Sequence, residues 1–349
     1  MSKGSPGVVG RVTLADVAAV AGVDRSVVSR VVSGDADLHV RPETRERVLA
    51  AVRDLGYRPN AIARSLRTAQ SGALGLIIPN FSNPVYSEII AGAEVAAAAH
   101  NSRLLIGSWY PGAAEQSWHL DLVASGRVDG VLLAGAHVDD DLLQQLDHSA
   151  VPLLLVNRRT RSARRSIVLD DEGAARLAVQ HLVDLGHERI GHVAGPRSAD
   201  TARRRRDGYL RVLKGSGIEA DPTLVVEADY TSAGGAAGMA ELLQLRTPPT
   251  AVFVSNALAA VGALHVAAEL GFRIPDDISV VAVHDLALTA FLRPPLTTVR
   301  MPLQDLGRRA VEILCTTRQD EPVKECLREP MELLERASTA PPPPSGRRR

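Results

Sequence analysis

The chain has 349 residues, 45% hydrophobic and 23% charged, which is ordinary for a folded globular protein and enough for two or three domains. Forty Lys and Arg against forty Asp and Glu leave no net charge, but the balance is uneven: residues 1–70 carry 11 basic and 7 acidic side chains, residues 71–349 carry 29 and 33. The few aromatics (2 Trp, 5 Tyr, 4 Phe) argue against a base-stacking platform for single strands, and Cys315 and Cys326 lack zinc-ligand spacing and fit a reducing compartment.

Residues 1–10 read as a flexible leader without the apolar run of a signal peptide, and no stretch is apolar enough to span a membrane. A cytoplasmic, nucleoid-associated protein without a membrane partner is expected. Thr13-Leu14-Ala15-Asp16 opens the first helix, with Thr13 as cap and Asp16 reaching back as in a capping box. Leu14, Val17, Ala18 and Ala21 share one face, and Gly22 ends the helix. Asp24 can cap a second helix over 25–33, with Val28, Val31 and Val32 inward. Pro42 opens a third, carrying Thr44, Val48, Leu49, Val52 and Leu55 in register and stopped by Gly56. Helix, glycine turn and short second helix is the helix-turn-helix pattern, which places a rigid helix in the DNA major groove. The outward face of the second helix carries Arg25, Ser26, Ser29 and Arg30. These can donate to phosphates, and Arg30 can reach guanine O6 and N7 bidentately. On spacing alone, a small helical cap with solvated charges accounts for the same residues.

Residues 58–72 are a polar connector. Short apolar runs then alternate with helical stretches. Strands are expected at 73–79, 103–107, 130–134 and 152–156, then at 189–194, 224–227, 251–255 and 278–283. Helices are expected at 84–100, 116–125, 172–185, 203–215, 232–245, 257–270 and 302–316, with a crossing strand at 323–329. Continuously apolar strands between amphipathic helices indicate α/β lobes with parallel, doubly wound sheets covered on both faces. Residues 337–349 read as a disordered, Pro- and Arg-rich tail.

The segments Val12-Thr13-Leu14-Ala15-Asp16-Val17-Ala18, Ala21-Gly22-Val23 and Val28-Ser29-Arg30-Val31-Val32-Ser33 resemble the headpiece of the LacI/GalR (lactose repressor) family. Thr44-Arg45-Glu46-Arg47-Val48, Leu55-Gly56-Tyr57-Arg58-Pro59-Asn60 and Ala63-Arg64-Ser65-Leu66 continue the match. It resumes at Asn83-Pro84-Val85-Tyr86, Leu185-Gly186-His187, Ala194-Gly195-Pro196 and Arg293-Pro294-Pro295-Leu296-Thr297-Thr298-Val299. The resemblance implies a homodimeric repressor reading a palindromic double-stranded DNA operator. Its core would be a two-lobed, periplasmic-binding-protein-like (type I) module with a sugar or sugar derivative as effector in the cleft. It implies a leader (1–10), headpiece (11–58), hinge helix and linker (59–71), effector-binding and dimerisation core (72–336) and tail (337–349). In the core, the N-lobe is about 72–168 with 300–327, and the C-lobe about 169–299 with 328–336. By position, Arg25 and Ser26 are the variable specificity pair and Ser29 and Arg30 the fixed part of the recognition helix. Thr13, Thr44, Tyr57 and Asn60 match the family's positions that contact or support the DNA backbone. Asn60 after Pro59 can cap a hinge helix over 61–67 that is marginal alone. Ala63 and Leu66 lie on it, Leu66 matching the wedge that enters the minor groove. The loop 34–41 is two residues longer than in the lactose repressor.

Ligands of open parallel sheets sit beyond the strand C-termini. There the chain has Tyr86, Asn157, Asn256, His284 and Asp285. The family pattern adds Arg203 as ligand clamp and Tyr230 as a stacking ring. Two departures stand out: Ala257 follows Asn256 where Asp is usual, and His284-Asp285 replaces a pair of acids. With Arg203 and Arg158 nearby, a less acidic cleft points to an anionic or atypical ligand, such as a sugar acid or phosphosugar; a neutral mono- or disaccharide stays open. No cofactor or metal is expected. An enzyme is disfavoured by the absence of nucleotide-binding glycine motifs and of a Gly-x-Ser-x-Gly elbow. A transport binding protein would need an export signal and would carry no helix-turn-helix. A regulator whose degenerate cleft answers to a partner protein remains the alternative. The Pro- and Arg-rich end lacks a leucine heptad, so a dimer is expected over a tetramer.

Overall fold

The computed structural model describes residues 12–35, 37–58, 70–108, 125–135, 151–160 and 163–343. Its first helix, α1 (Leu14–Ala21), starts at a complete capping box: Asp16 N–H donates to Thr13 Oγ1 and Thr13 N–H to Asp16 Oδ2. Gly22 closes it in the left-handed region, φ 63°, where a side chain would be strained. Asp24 caps α2 (Arg25–Val32) by accepting from Ser26 N–H at 2.7 Å, and Pro42 starts α3 (Pro42–Asp54) at a position that needs no N–H. Helices of eight residues are marginal alone. These are ordered by a shared core of Val17, Val28, Val31, Val48 and Ala51, with Leu14, Val52, Leu55 and Tyr57 packed on its rim. These elements fall in one compact unit, Met1–Ser71; the second is Gly72–Arg349.

The second unit holds two six-stranded sheets. The first contains β1 (Ala73–Ile78), β2 (Arg103–Ser108), β3 (Gly130–Leu133), β4 (Leu153–Val156) and β5 (Arg165–Leu169), with α4 (Val85–Ala99) crossing from β1 to β2. The second contains β6 (Ile190–Ala194), β7 (Val225–Glu227), β8 (Ala251–Val254), β9 (Ser279–Val283) and β10 (Thr297–Arg300). The helices α5 (Asp171–Asp184), α6 (Asp200–Gly215), α7 (Ser232–Leu243) and α8 (Ala257–Glu269) accompany it. After α9 (Leu303–Thr316), the chain returns β11 (Val323–Leu327) to the first sheet and β12 (Glu332–Leu334) to the second. The orders are β11-β5-β4-β3-β1-β2 and β12-β10-β9-β8-β6-β7, parallel except for the β10–β12 pair. Strands β1, β3, β5, β6, β8 and β9 are buried at every position, as sheets covered on both faces require. The α/β fold class is as expected. Strands β5, β10 and β12 are additional to the sequence reading.

The chain crosses between the sheets after β5, after β10 and after β11, so the C-terminal ends of β4 and β9 come from different lobes. Two bare backbones meet where α4 and α9 pack: a Cβ at Gly92 would strike the Gln304 carbonyl, and one at Gly307 the Ile89 carbonyl. The disordered-tail reading is corrected at its start. Ser338 is fully buried, its Oγ donating to Val280 O at 2.6 Å and accepting from Thr297 N–H at 2.8 Å; Thr339 and Ala340 bond to His181, His187 and Ser279. Small hydroxyl side chains can complete a sheet edge that apolarity patterns do not register. The expected helix at 116–125 lies outside the described residues save its last, as do residues 344–349 of the tail.

Candidate functional site

In the first unit, the inward valines of α2 leave Arg25, Ser26 and Arg30 exposed and Ser29 half-buried on the other side. Arg30 is held: its Nε donates to Asp35 Oδ2 at 2.6 Å, and Asp35 N–H donates to Arg30 O at 3.1 Å. Asp35 lies in the loop between α2 and α3. With Nε anchored, the two terminal nitrogens form the fork for an acceptor pair. The sequence reading missed Asp35; an acid five residues after an outward Arg was its signal. Thr13 is exposed and occupied in its capping box, and Thr44 is half-buried in the first turn of α3. Tyr57 packs against the headpiece core. Asn60, Ala63 and Leu66, and the hinge helix they would form, lie outside the described residues.

In the second unit, Tyr86, Asn157, Tyr230 and His284 converge with Arg158, which the sequence also placed near the cleft, and with Arg205 and Ser255, which it did not. Tyr230 is the centre. Its ring lies 5.9 Å from the Arg158 guanidinium and 5.8 Å from that of Arg205, and its hydroxyl sits 2.9 Å from Thr201 Oγ1. Gly195 makes room for it, since a Cβ there would overlap the ring. Tyr86 is buried beside this group; burial raises its phenol above the usual value and the charges of Arg158 and Arg205 work against that. Arg205 donates to Ser255 O at 2.7 Å, to Asp171 Oδ1 and, through Nη2, to His284 Nε2 at 3.2 Å. Burial and then the Arg205 charge hold His284 well below the ordinary imidazole value, so the ring is neutral. Accepting at Nε2 leaves its proton on Nδ1.

Arg203 is corrected by helix phase. Its side chain is 63% exposed and pairs with the buried Asp200 at 2.6 Å. The buried face of α6 runs through Thr201, Arg204, Arg205, Gly208, Tyr209 and Val212, so counting back four from Tyr209 picks Arg205 from the arginine run. Arg204 binds Asp171, Asp200 and the carbonyls of Leu169 and Asn157. Its guanidinium lies above its ordinary value: burial opposes the charge but Asp171 and Asp200 outweigh it.

Two further candidates have their polar atoms committed to the fold. Asn256 Oδ1 caps α8 by accepting from Ala259 N–H at 2.8 Å, and its Nδ2 donates to Tyr230 O at 3.4 Å. Asp285 accepts from Arg336, Thr298, Thr289 and Arg300. Burial alone would raise its pKa, but those hydrogen bonds hold it below the ordinary value. Asn256 therefore orients Tyr230, and Asp285 locks β10 to the C-terminal segment. Ala257, where an acid is usual, is fully buried at the start of α8.

Residues 13–60 match the lacI family of bacterial regulatory proteins, and residues 179–339 match a periplasmic binding protein-like domain. The chain is 34% identical over 312 residues to the HTH-type transcriptional repressor CytR of Escherichia coli (strain K12), covering 89% of this chain and 91% of that one. It is 35% identical over 325 residues to the HTH-type transcriptional regulator CelR of Thermobifida fusca, covering 90% and 95%. The lac repressor dimer bound to operator and the anti-inducer ONPF superposes with a TM-score of 0.83 at 31% identity, covering 95% of this chain and all of that one. A CelR–cellobiose complex gives 0.72 at 34% identity, covering 94% of this chain.

Proposed function

The chain belongs to the LacI family of DNA-binding transcriptional regulators, and from that premise we propose that it is a repressor that binds a palindromic operator as a homodimer under the control of a small carbohydrate-class effector. One observation carries the reading. The side of α2 opposite its core valines presents Arg25, Ser26 and Arg30 together, with Arg30 pre-oriented by Asp35. Such a face suits the major groove, where an oriented arginine fork reads guanine. The division of labour follows the chain. Residues 11–58 read DNA, 59–71 act as hinge, and the lobes of the second unit take the effector. Asn60, Ala63 and Leu66 serve the hinge, Leu66 as a minor-groove wedge. Effector binding between lobes that cross three times changes their angle, and thereby the separation of two hinge helices in a dimer. Tyr86, Asn157, Tyr230 and His284 supply the contacts, joined by Arg158, Arg205 and Ser255. The convergence of these polar groups disfavours a degenerate cleft run by a partner protein.

The test is genome-wide footprinting of the full chain beside a truncation lacking residues 1–70. The full chain is expected to protect a palindromic site with strongly salt-dependent affinity. Equal protection by the truncated chain would refute the assignment.

A further inference from the structure

Four buried polar atoms in the interlobe cluster meet no partner among the described residues: Asn157 Oδ1, Arg158 Nε, Ser255 Oγ and His284 Nδ1. Their residues are 5%, 6%, 1% and 3% exposed. Buried polar groups are normally satisfied, so such a concentration marks a place made for another molecule. Two of the four residues, Asn157 (φ 67°) and His284 (φ 75°), also stand in the left-handed region, where non-glycine backbone is strained. They end β4 and β9, one from each lobe.

The charges do not balance either. The cluster buries Arg158, Arg204 and Arg205, while Asp171 and Asp200 are the only buried carboxylates among the described residues. Both aspartates are spent on Arg204 and Arg205. Arg158 has no carboxylate partner among the described residues, and its guanidinium lies against the Tyr230 ring. The neutral His284 already accepts from Arg205 at Nε2 and carries its proton on Nδ1, so it cannot take the place of an acid that would accept from ligand hydroxyls. A buried guanidinium without a counter-charge is costly unless a ligand brings one.

We infer that the cluster selects a polyhydroxylated anion, a sugar phosphate or sugar acid, with Arg158 holding the anionic group. The donors Arg158, His284 Nδ1–H and Ser255 O–H face acceptor oxygens. Asn157 Oδ1 requires a hydroxyl hydrogen, and the Tyr230 face covers the ring. This deepens the effector reading above and depends on it.

The experiment is thermal unfolding of the full chain with hexose and pentose phosphates, aldonates and inorganic phosphate. Their uncharged parents, glucose, ribose and cellobiose, and sodium chloride of matched ionic strength serve as references. Arg158→Met and Arg158→Lys are measured in parallel. At least one anionic sugar should raise the midpoint where its uncharged parent does not. Arg158→Met should raise the ligand concentration needed for the same midpoint shift about 10- to 100-fold, the worth of one hydrogen bond to a charged group, and Arg158→Lys should lie between the two. A response shared with inorganic phosphate identifies a phosphoryl group; one confined to aldonates identifies a carboxylate. The inference is overturned if an uncharged sugar stabilises as well as any anion, if no anion exceeds sodium chloride, or if Arg158→Met responds like the wild type. Footprints of the wild-type chain on genomic DNA decide the regulator reading separately, whichever ligand class binds.

Discussion

Asp171→Asn is the most direct probe of the buried charge network. The Asp171 carboxylate is 1% exposed and is held by Arg204 and Arg205, themselves 8% and 3% exposed at the side chain. The substitution is nearly isosteric, so packing is preserved while both guanidiniums lose a counter-charge. Removing one partner of a buried ion pair costs about 3–5 kcal/mol, because the remaining charge stays desolvated. For a unit of this size that corresponds to a fall of roughly 6–10 °C in the unfolding midpoint. Urea or thermal unfolding of the full chain, followed by circular dichroism, measures the loss. The double variant Asp171→Asn/Arg205→Met removes the stranded charge as well and should recover to within about 1–2 kcal/mol of wild type. If Asp171→Asn alone costs less than about 1 kcal/mol, or if the two changes are additive, the charge accounting used for the site is wrong.

His192 should make stability acid-sensitive. It is stacked between Phe253 and Tyr209, with ring centroids 4.6 and 5.1 Å away, and burial lowers its pKa from 6.5 to about 4. The unfolded chain takes the proton first, so the neutral ring's contribution is complete above pH 6.5 and is lost as pH falls to about 4, about 3 kcal/mol in all. His192→Phe should flatten the pH dependence of urea midpoints over that window by about this amount, and parallel curves would contradict it. Asp35→Ala frees Arg30, an exposed pair worth about 0.5–1 kcal/mol. In competition binding its discrimination against a mutated operator base should fall a few-fold while non-specific affinity rises; unchanged discrimination would remove Asp35 from the reading face. Gly195→Ala forces the Tyr230 ring to move, at about 1–3 kcal/mol of strain. Effector titration should show at least a several-fold loss of affinity with DNA binding retained, and an unaltered titration would show that Tyr230 is not the stacking surface.

The headpiece was legible because its determinants are local. Capping residues, the glycine after α1 and valines at helical spacing act within a turn or two of one another, and Thr13, Asp16, Gly22 and Asp24 behave as their positions imply. The longer strands were legible for a similar reason, since a strand covered on both faces is mostly apolar. Strands β5, β10 and β12 were not. They are short, and hydroxyl or charged residues such as Ser166, Thr297 and Glu332 interrupt the pattern.

The interlobe site divides along the same line. Residue type and strand ends pointed to Asn157 and His284, because parallel sheets gather ligands beyond their C-terminal edges, while Tyr230 came from the family resemblance. Which arginine of the run 203–206 faces inward depends on the phase at which α6 packs against its sheet. Whether Asn256 and Asp285 are available depends on partners from Tyr230 to Arg336 in the chain. That Arg158 meets no carboxylate among the described residues depends on Asp171 and Asp200 being taken by their neighbours. Caps, turns and apolar period are encoded residue by residue. The pairing of buried charges exists only once segments far apart in the chain share a space too small and too dry to leave any of them unanswered.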